Sequence, residues 1–244
     1  MPPKAGSGSA APVAAYAPRA SSTAQKYLLA YNSLCFALWS IVTLRALGLL
    51  PVLLSHNKLH GLYHAIFPLL QWTQTIALLE ILHSVLGLVR ASVLTTAMQV
   101  ASRILVVWGV MYLFPQVIVA QNVWGRDTAG PNGAPYAFVG CVFAWGITEI
   151  IRYGFFVWKE GVSPRIPGWL TWLRYNTFFV LYPIGISSEC WLIYNSIKPA
   201  EQSYQGLDLV FKAVLLIYVP GSYILYTHMM KQRKKVLKGK EKAR

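Results

Sequence analysis

Residues 172–196 read WLRYNTFFVLYPIGISSECWLIYNS. The stretch is apolar over about 20 residues, the length a helix needs to cross a bilayer, yet it carries Tyr182 and Glu189. A carboxyl group in hydrocarbon costs several kcal/mol, so it is kept where it has a partner or a use. Seven residues is about two helical turns, which places both side chains on one face. Pro183 and Gly185 lie between them and are expected to loosen the helix. An acid–base pair on such a helix points to chemistry on a lipid-like substrate.

The rest of the chain agrees with a membrane reading. Of 244 residues, 55% are hydrophobic and only 12% are charged, against about 25% charged in ordinary soluble domains. No polar stretch is long enough to build a soluble domain. Apolar runs of bilayer length recur six times, at about 27–50, 63–89, 92–114, 136–158, 172–196 and 207–230. Residues 121–135 contain Gly, Pro, Asn and Asp and read as a loop, whereas the second and third runs are almost contiguous and predict a tight hairpin. The expected fold is an all-α integral membrane bundle of six transmembrane helices.

The net charge of +14 invites a nucleic-acid reading, but its placement opposes one. Eight of the 22 basic residues lie between Lys231 and Arg244, beside the last apolar run, as in a cytoplasmic tail near anionic lipid. With six spans both termini share a side. That side holds Lys4, Arg19, Lys26, Arg90, Lys159, Arg165 and the C-terminal block; the other holds Lys58, Arg126 and Lys198. The excess of basic residues places both termini in the cytosol. Residues 1–25, rich in Ala, Pro, Ser and Gly, lack the apolar core of a signal peptide and read as a disordered cytosolic tail. Residues 26–230 form the membrane unit, and 231–244 a basic cytosolic tail. Within that tail, Lys240 and Lys242 resemble a dilysine signal for retrieval to the endoplasmic reticulum, an address read by a receptor in the cytosol.

Cys35, Cys141 and Cys190 fall inside apolar runs and give no disulfide framework. No Cys or His spacing suits a metal, and no metal site is expected. Trp169, Trp172 and Tyr175 sit where the fifth run enters the bilayer and read as an interfacial belt.

Three of the eight acids, Glu80, Glu149 and Glu189, lie deep within predicted spans, as do Arg103 and Arg152. At 1.5 Å per residue, Glu80 and Glu149 lie about 13 Å from the cytosolic end, Arg103 about 16 Å, Tyr182 about 15 Å and Glu189 about 25 Å. Polar groups on four helices at overlapping depths describe a cavity reached from the cytosol. Glu149 and Arg152 share a face and can pair, either as a structural brace or as part of a site. Gln99 and Arg103 share a face of the third helix, and one of them is expected to meet Glu80 across the hairpin.

The linked motifs Trp172-Leu-Arg174-Tyr175, Tyr182-Pro-Ile-Gly185 and Glu189, with Glu149-Ile-Ile-Arg152-Tyr153 and the series Glu80, Gln99, Arg103, resemble the (3R)-3-hydroxyacyl-CoA dehydratases of very-long-chain fatty acid elongation. The resemblance covers roughly residues 27–230. It implies a multi-span protein of the endoplasmic reticulum that removes water from a 3-hydroxyacyl-CoA to leave a trans-2-enoyl-CoA, a step toward sphingolipid precursors. It implies Tyr182 and Glu189 as the catalytic pair, with Glu80, Gln99, Arg103, Glu149, Arg152 and Gly185 binding substrate or supporting the site. It implies no cofactor beyond the CoA thioester itself. The implied partners are membrane lipid, a very-long-chain acyl-CoA and the other elongation enzymes: the condensing enzyme and the ketoacyl and enoyl reductases. The family has also been called tyrosine-phosphatase-like, but phosphatase chemistry needs an Arg six residues after a Cys. Here those positions hold Ile41, Ile147 and Ser196.

The implied reaction needs a base for the proton on carbon 2 and an acid for the departing 3-hydroxyl. A carboxyl group in apolar surroundings favours its protonated form, which suits Glu189 as the acid. Tyr182 is then the base, if a cation such as Arg103 or Arg152 stabilises its phenolate. The reverse assignment stays open. Lys159, Arg165 and Arg174, at the cytosolic mouth, are candidates for the CoA phosphates, and equally read as ordinary positive-inside flanks. Two rivals remain: a catalytically inactive scaffold of the same family, and a small transporter, since intramembrane acids also mark ion paths. The two halves of the chain show no convincing internal repeat of the kind transporters use.

Overall fold

The computed structural model describes residues 22–119 and 133–241, and these residues are helical throughout apart from short connections. The proposed tail up to residue 21, most of the predicted loop (120–132) and Lys242 lie outside the described residues. Helix α1 is Ser22–Ser55, α2 Gly61–Ile76, α3 Leu78–Val85, α4 Val93–Ile104, α5 Gln116–Val119, α6 Ala134–Val157, α7 Gly168–Asn176, α8 Phe178–Ser203 and α9 Leu207–Glu241. Wider π-helical turns continue α4 over Leu105–Tyr112 and α6 over Trp158–Val162.

Among the described residues, six helical stretches are long and apolar enough to cross a membrane: Thr23–Ser55, Gly61–Val85, Val93–Tyr112, Ala134–Val162, Gly168–Ser203 and Leu207–Leu237. They coincide in order with the six apolar runs, and most are longer. The first helix starts at Ser22, inside the segment expected to be disordered. The last runs to Glu241, because Lys, Arg and Gln extend a helix readily and no Pro interrupts after Pro220.

Two spans are broken. The second is split at Ala77 between α2 and α3. The fifth is split at Thr177 rather than at the expected Pro183–Gly185, which α8 crosses as continuous α-helix. Pro183 has no N–H for the Phe179 carbonyl, and its ring crowds that turn. The interruption falls just before it, where the amides of Val180 and Leu181 both turn back to the Thr177 carbonyl. The hairpin between the second and third spans closes as predicted. Gly87, at φ 68°, takes the left-handed position after α3, and the Leu88 amide returns to the His83 carbonyl at 2.9 Å.

Helix α6 is the centre of the bundle. It packs on α1 and α8, and α9 packs on α8. Of the apolar window in the fourth span 61% is buried, against 6% in the sixth, so α6 is core and α9 an outer helix. Glycine permits the central contacts. A Cβ at Gly146 would collide with the Thr43 hydroxyl of α1, and one at Gly140 with the Ser188 hydroxyl of α8. Small residues of this kind let membrane helices approach closely where no hydrophobic effect draws them together. The core on either side holds Trp39, Val42 and Ala46 of α1 and Leu192 and Ile193 of α8. Cys35 and Cys141 are buried free thiols and Cys190 is half-buried.

Candidate active site

Tyr182 and Glu189 line one cavity. It measures about 370 Å³ and is walled by α4, α6, α8 and α9, with Arg103, Trp145, Gly185, Tyr218 and Ser222 among its lining residues. The two-turn spacing on α8 aims both side chains at α9. The Tyr182 hydroxyl donates to the Ser222 carbonyl at 3.0 Å. Glu189 Oε2 accepts from the Tyr218 hydroxyl at 2.8 Å. Tyr218 and Ser222 are one turn apart on α9, so Tyr182 and Glu189 are pinned to two successive turns of the same neighbour. From the opposite wall, Trp145 Nε1 of α6 donates to Glu189 Oε1 at 2.8 Å. Gly185 lies between, with its missing side chain facing Ala144 of α6; any larger residue there would take cavity space.

The remaining intramembrane charges form one network beside this cavity. Arg152 grips Glu80 with two parallel bonds, Nη1 to Oε2 at 2.8 Å and Nη2 to Oε1 at 2.6 Å. Its Nε donates to Glu149 Oε2 at 2.6 Å, the pairing expected from their spacing. Glu149 Oε1 accepts from Arg103 Nη1, and the Tyr153 hydroxyl donates to Glu80. Two carboxylates and two guanidinium groups thus pair within a buried layer, as buried charges in a membrane must. The expected contact of Glu80 with Gln99 or Arg103 does not form. Arg152 offers Glu80 the planar two-pronged geometry that carboxylates accept best, which leaves Arg103 to Glu149. Of the network, Arg103 alone also lines the cavity, with its guanidinium 5.7 Å from the Trp145 ring.

The predicted site residues therefore divide. Tyr182, Glu189, Gln99, Arg103 and Gly185 line the cavity, whereas Glu80, Glu149 and Arg152 stand behind it and hold Arg103. The candidate phosphate contacts divide as well. Lys159 and Arg165 are exposed, but Arg174 is laid over the rings of Phe155 at 4.5 Å and Phe156 at 4.7 Å, a cation–π site on α6. Trp169 and Trp172 are each 62% exposed, in keeping with an interfacial position.

Trp145, Tyr218 and Ser222 were not singled out by sequence, since aromatic and hydroxyl residues inside apolar runs read as filling. One signal was present for Trp145: it stands four residues before Glu149, on the face of α6 that carries the intramembrane acid. Among the described residues, no group of three His, Cys, Asp or Glu side chains is placed to hold a metal ion.

Comparison with known proteins adds to this geometry. Residues 74–239 match the family model described as protein tyrosine phosphatase-like protein, PTPLA. The probable very-long-chain (3R)-3-hydroxyacyl-CoA dehydratase of Schizosaccharomyces pombe is 41% identical over 213 residues, 87% of this chain and 93% of that protein. The very-long-chain (3R)-3-hydroxyacyl-CoA dehydratase PASTICCINO 2 of Arabidopsis thaliana is 37% identical over 224 residues, 86% of this chain and 92% of that protein. The human very-long-chain (3R)-3-hydroxyacyl-CoA dehydratase 2 is 34% identical over 227 residues, 88% of this chain and 82% of that protein. No solved structure matches the chain.

Proposed function

The chain belongs to the protein tyrosine phosphatase-like family, PTPLA, and from that premise we propose that it dehydrates very-long-chain (3R)-3-hydroxyacyl-CoA to trans-2-enoyl-CoA with Tyr182 and Glu189 as the acid–base pair. The observation that carries this reading is the shared cavity: both residues line it, together with the cation Arg103.

In this reaction the C2–H bond breaks, its electron pair forms the C2–C3 double bond, and the C3–O bond breaks as the hydroxyl takes a proton and leaves as water. No electrons are gained or lost overall. Glu189 takes the C2 proton and Tyr182 donates to the departing hydroxyl. This is the reverse of the order that burial alone favours, and two observations support it. A carbonyl can only accept, so Tyr182 carries its proton when it bonds to Ser222. The cations expected to stabilise a phenolate are bound instead to Glu149 and Glu80. A free carboxyl and a free phenol differ by about six pKa units, or ~8 kcal/mol. No cation bonded to Tyr182 offsets that gap, while Trp145 and Tyr218 both donate to Glu189. With two donors aimed at its oxygens, Glu189 is arranged to receive a proton, and Tyr182 to give one. Arg103, held by Glu149, places positive charge in the cavity wall, where it stabilises the thioester oxygen as negative charge develops there.

The surroundings follow the same reading. The excess of basic residues on one side supports cytosolic termini, and Lys240 and Lys242 with the family resemblance support the endoplasmic reticulum membrane. The CoA head then lies at the cytosolic mouth near Lys159 and Arg165, and the chain acts beside the condensing enzyme and the two reductases of elongation, without a further cofactor.

Turnover of a 3-hydroxyacyl-CoA by the full chain in membranes tests the assignment. Tyr182→Phe and Glu189→Gln are expected to abolish enoyl-CoA formation with the fold intact; near-normal turnover in both would refute the pair. Exchange of the C2 hydrogen with deuterated solvent tests the direction. It is expected to survive in Tyr182→Phe and to vanish in Glu189→Gln, and the opposite pattern would interchange the two roles.

A further inference from the structure

The cavity opens sideways. Gln99 and Ala101 of α4 line it and are exposed, and Ile217 of α9 lines it while 63% exposed. A residue that borders a cavity and also meets the outside marks its rim, and these three lie on α4 and α9. The rim is inside the spans Val93–Tyr112 and Leu207–Leu237. At 1.5 Å per residue, Ala101 is about 12 Å along its helix from Val93. The opening therefore faces hydrocarbon and not water.

The two helices leave room there. Helix α9 is carried by α8, with a lesser contact to α7. Where α9 faces α4, Gly221 stands opposite Met98. A Cβ at Gly221 would meet only the Met98 Cε within 4 Å, at 3.9 Å, so the flexible end of one methionine is all that stands opposite Gly221. Ala101 keeps the other lip equally small.

The cavity is also too small for the whole substrate. At about 370 Å³ it lies near the lower end of the roughly 300–1,000 Å³ that enclose a drug-sized ligand. That space suits the thioester, the reacting carbons and the first part of a chain, and it cannot enclose a very long tail. We propose that the acyl tail leaves the cavity between α4 and α9, past Ala101 and Gly221, and lies in the bilayer while carbons 2 and 3 are held at Tyr182 and Glu189. The portal rests on the dehydratase reading. It removes any need for a closed end that measures chain length: beyond the rim, lipid solvates whatever tail there is, since a tail in lipid and a tail in an apolar tunnel are about equally well placed.

Gly221→Leu and Ala101→Leu, each in the full chain in phosphatidylcholine vesicles, test the portal. With a very-long-chain 3-hydroxyacyl-CoA, kcat/KM is expected to fall about tenfold or more in either variant, while a short-chain substrate that ends inside the cavity changes by less than about twofold. Equal loss at both lengths, or no loss at either, overturns the portal. Failure of the dehydratase reading looks different, as absence of turnover at both lengths in the unsubstituted protein. In that case binding still decides the portal. A very-long-chain acyl-CoA with a photoreactive group midway along its tail is expected to label residues of α4 and α9 at the rim, and to lose that labelling in Gly221→Leu. Labelling confined to other helices overturns the proposal.

Discussion

Trp145 Nε1 donates to Glu189 Oε1 at 2.8 Å, tying the most buried helix of the bundle to the acid that lines the cavity. Indole nitrogen is a donor only, so this bond fixes one Glu189 oxygen as an acceptor and orients the carboxyl group. Tyr218 holds the other oxygen from α9. The acid is thereby held between two helices, α6 and α9, that both pack on α8.

Trp145→Phe keeps a ring in the wall and removes the donor. A hydrogen bond to a charged group contributes about 1.5–3 kcal/mol, so kcat is expected to fall roughly 10- to 100-fold with KM little changed. Steady-state kinetics beside a thermal melt checks this. An unchanged kcat, or a loss explained by melting alone, would remove Trp145 from the positioning of Glu189.

Glu149 bridges Arg103 and Arg152, whereas Glu80 pairs with Arg152 alone. Removing one partner of a buried ion pair costs about 3–5 kcal/mol, because the other charge is left uncompensated. Glu149→Gln strands Arg103 and takes one of the two carboxylates from Arg152, Glu80→Gln takes only the other carboxylate from Arg152, and Tyr153→Phe deletes only a hydroxyl bond. Stability is expected to fall in that order, with Tyr153→Phe costing about 1 kcal/mol. Thermal unfolding in detergent measures it; equal losses at Glu149 and Glu80 would deny the bridge.

How much of this was legible in the sequence follows from what each signal encodes. Hydropathy encodes length and depth, so the six spans, the tight hairpin at Gly87 and the common layer of Glu80, Arg103, Glu149 and Arg152 could be read. It does not encode how each helix is turned about its axis. Depth alone leaves residues of α4 and Arg152 equally near Glu80, so the expected partner on α4 gives way to the two-pronged bond from Arg152. The hydrogen-bond donors to Glu189 come from Trp145 and Tyr218, aromatic residues that read as filling inside an apolar run. The break in the fifth span is expected at Pro183–Gly185, yet α8 runs through both and the chain parts six residues before the proline, at Thr177.

Close approach at Gly146 makes a packing prediction. A Cβ there would strike the Thr43 hydroxyl of α1, and overpacking typically costs about 1–3 kcal/mol. Gly146→Ala is expected to lower the melting temperature, and Thr43→Ala to recover part of the loss in the double variant by removing the struck oxygen. Additive losses in the double variant would show that the α1–α6 contact is not what Gly146 serves.

The three basic residues near the proposed cytosolic mouth are expected to behave differently from one another. Lys159 and Arg165 are exposed, free to meet an anionic CoA head but also screened by salt over about 8–10 Å. Replacing either with Ala is expected to raise KM severalfold at low salt with kcat unchanged, and the effect should shrink as ionic strength rises. Arg174 lies across Phe155 and Phe156, so its loss removes a contact between α7 and α6 instead. Arg174→Ala is expected to lower stability with little salt dependence in KM. Kinetics of the three variants across a salt series, each beside a thermal melt, separates the two behaviours. A salt-sensitive KM effect at Arg174 as large as that at Lys159 and Arg165 would mean that the guanidinium leaves its rings to meet the substrate.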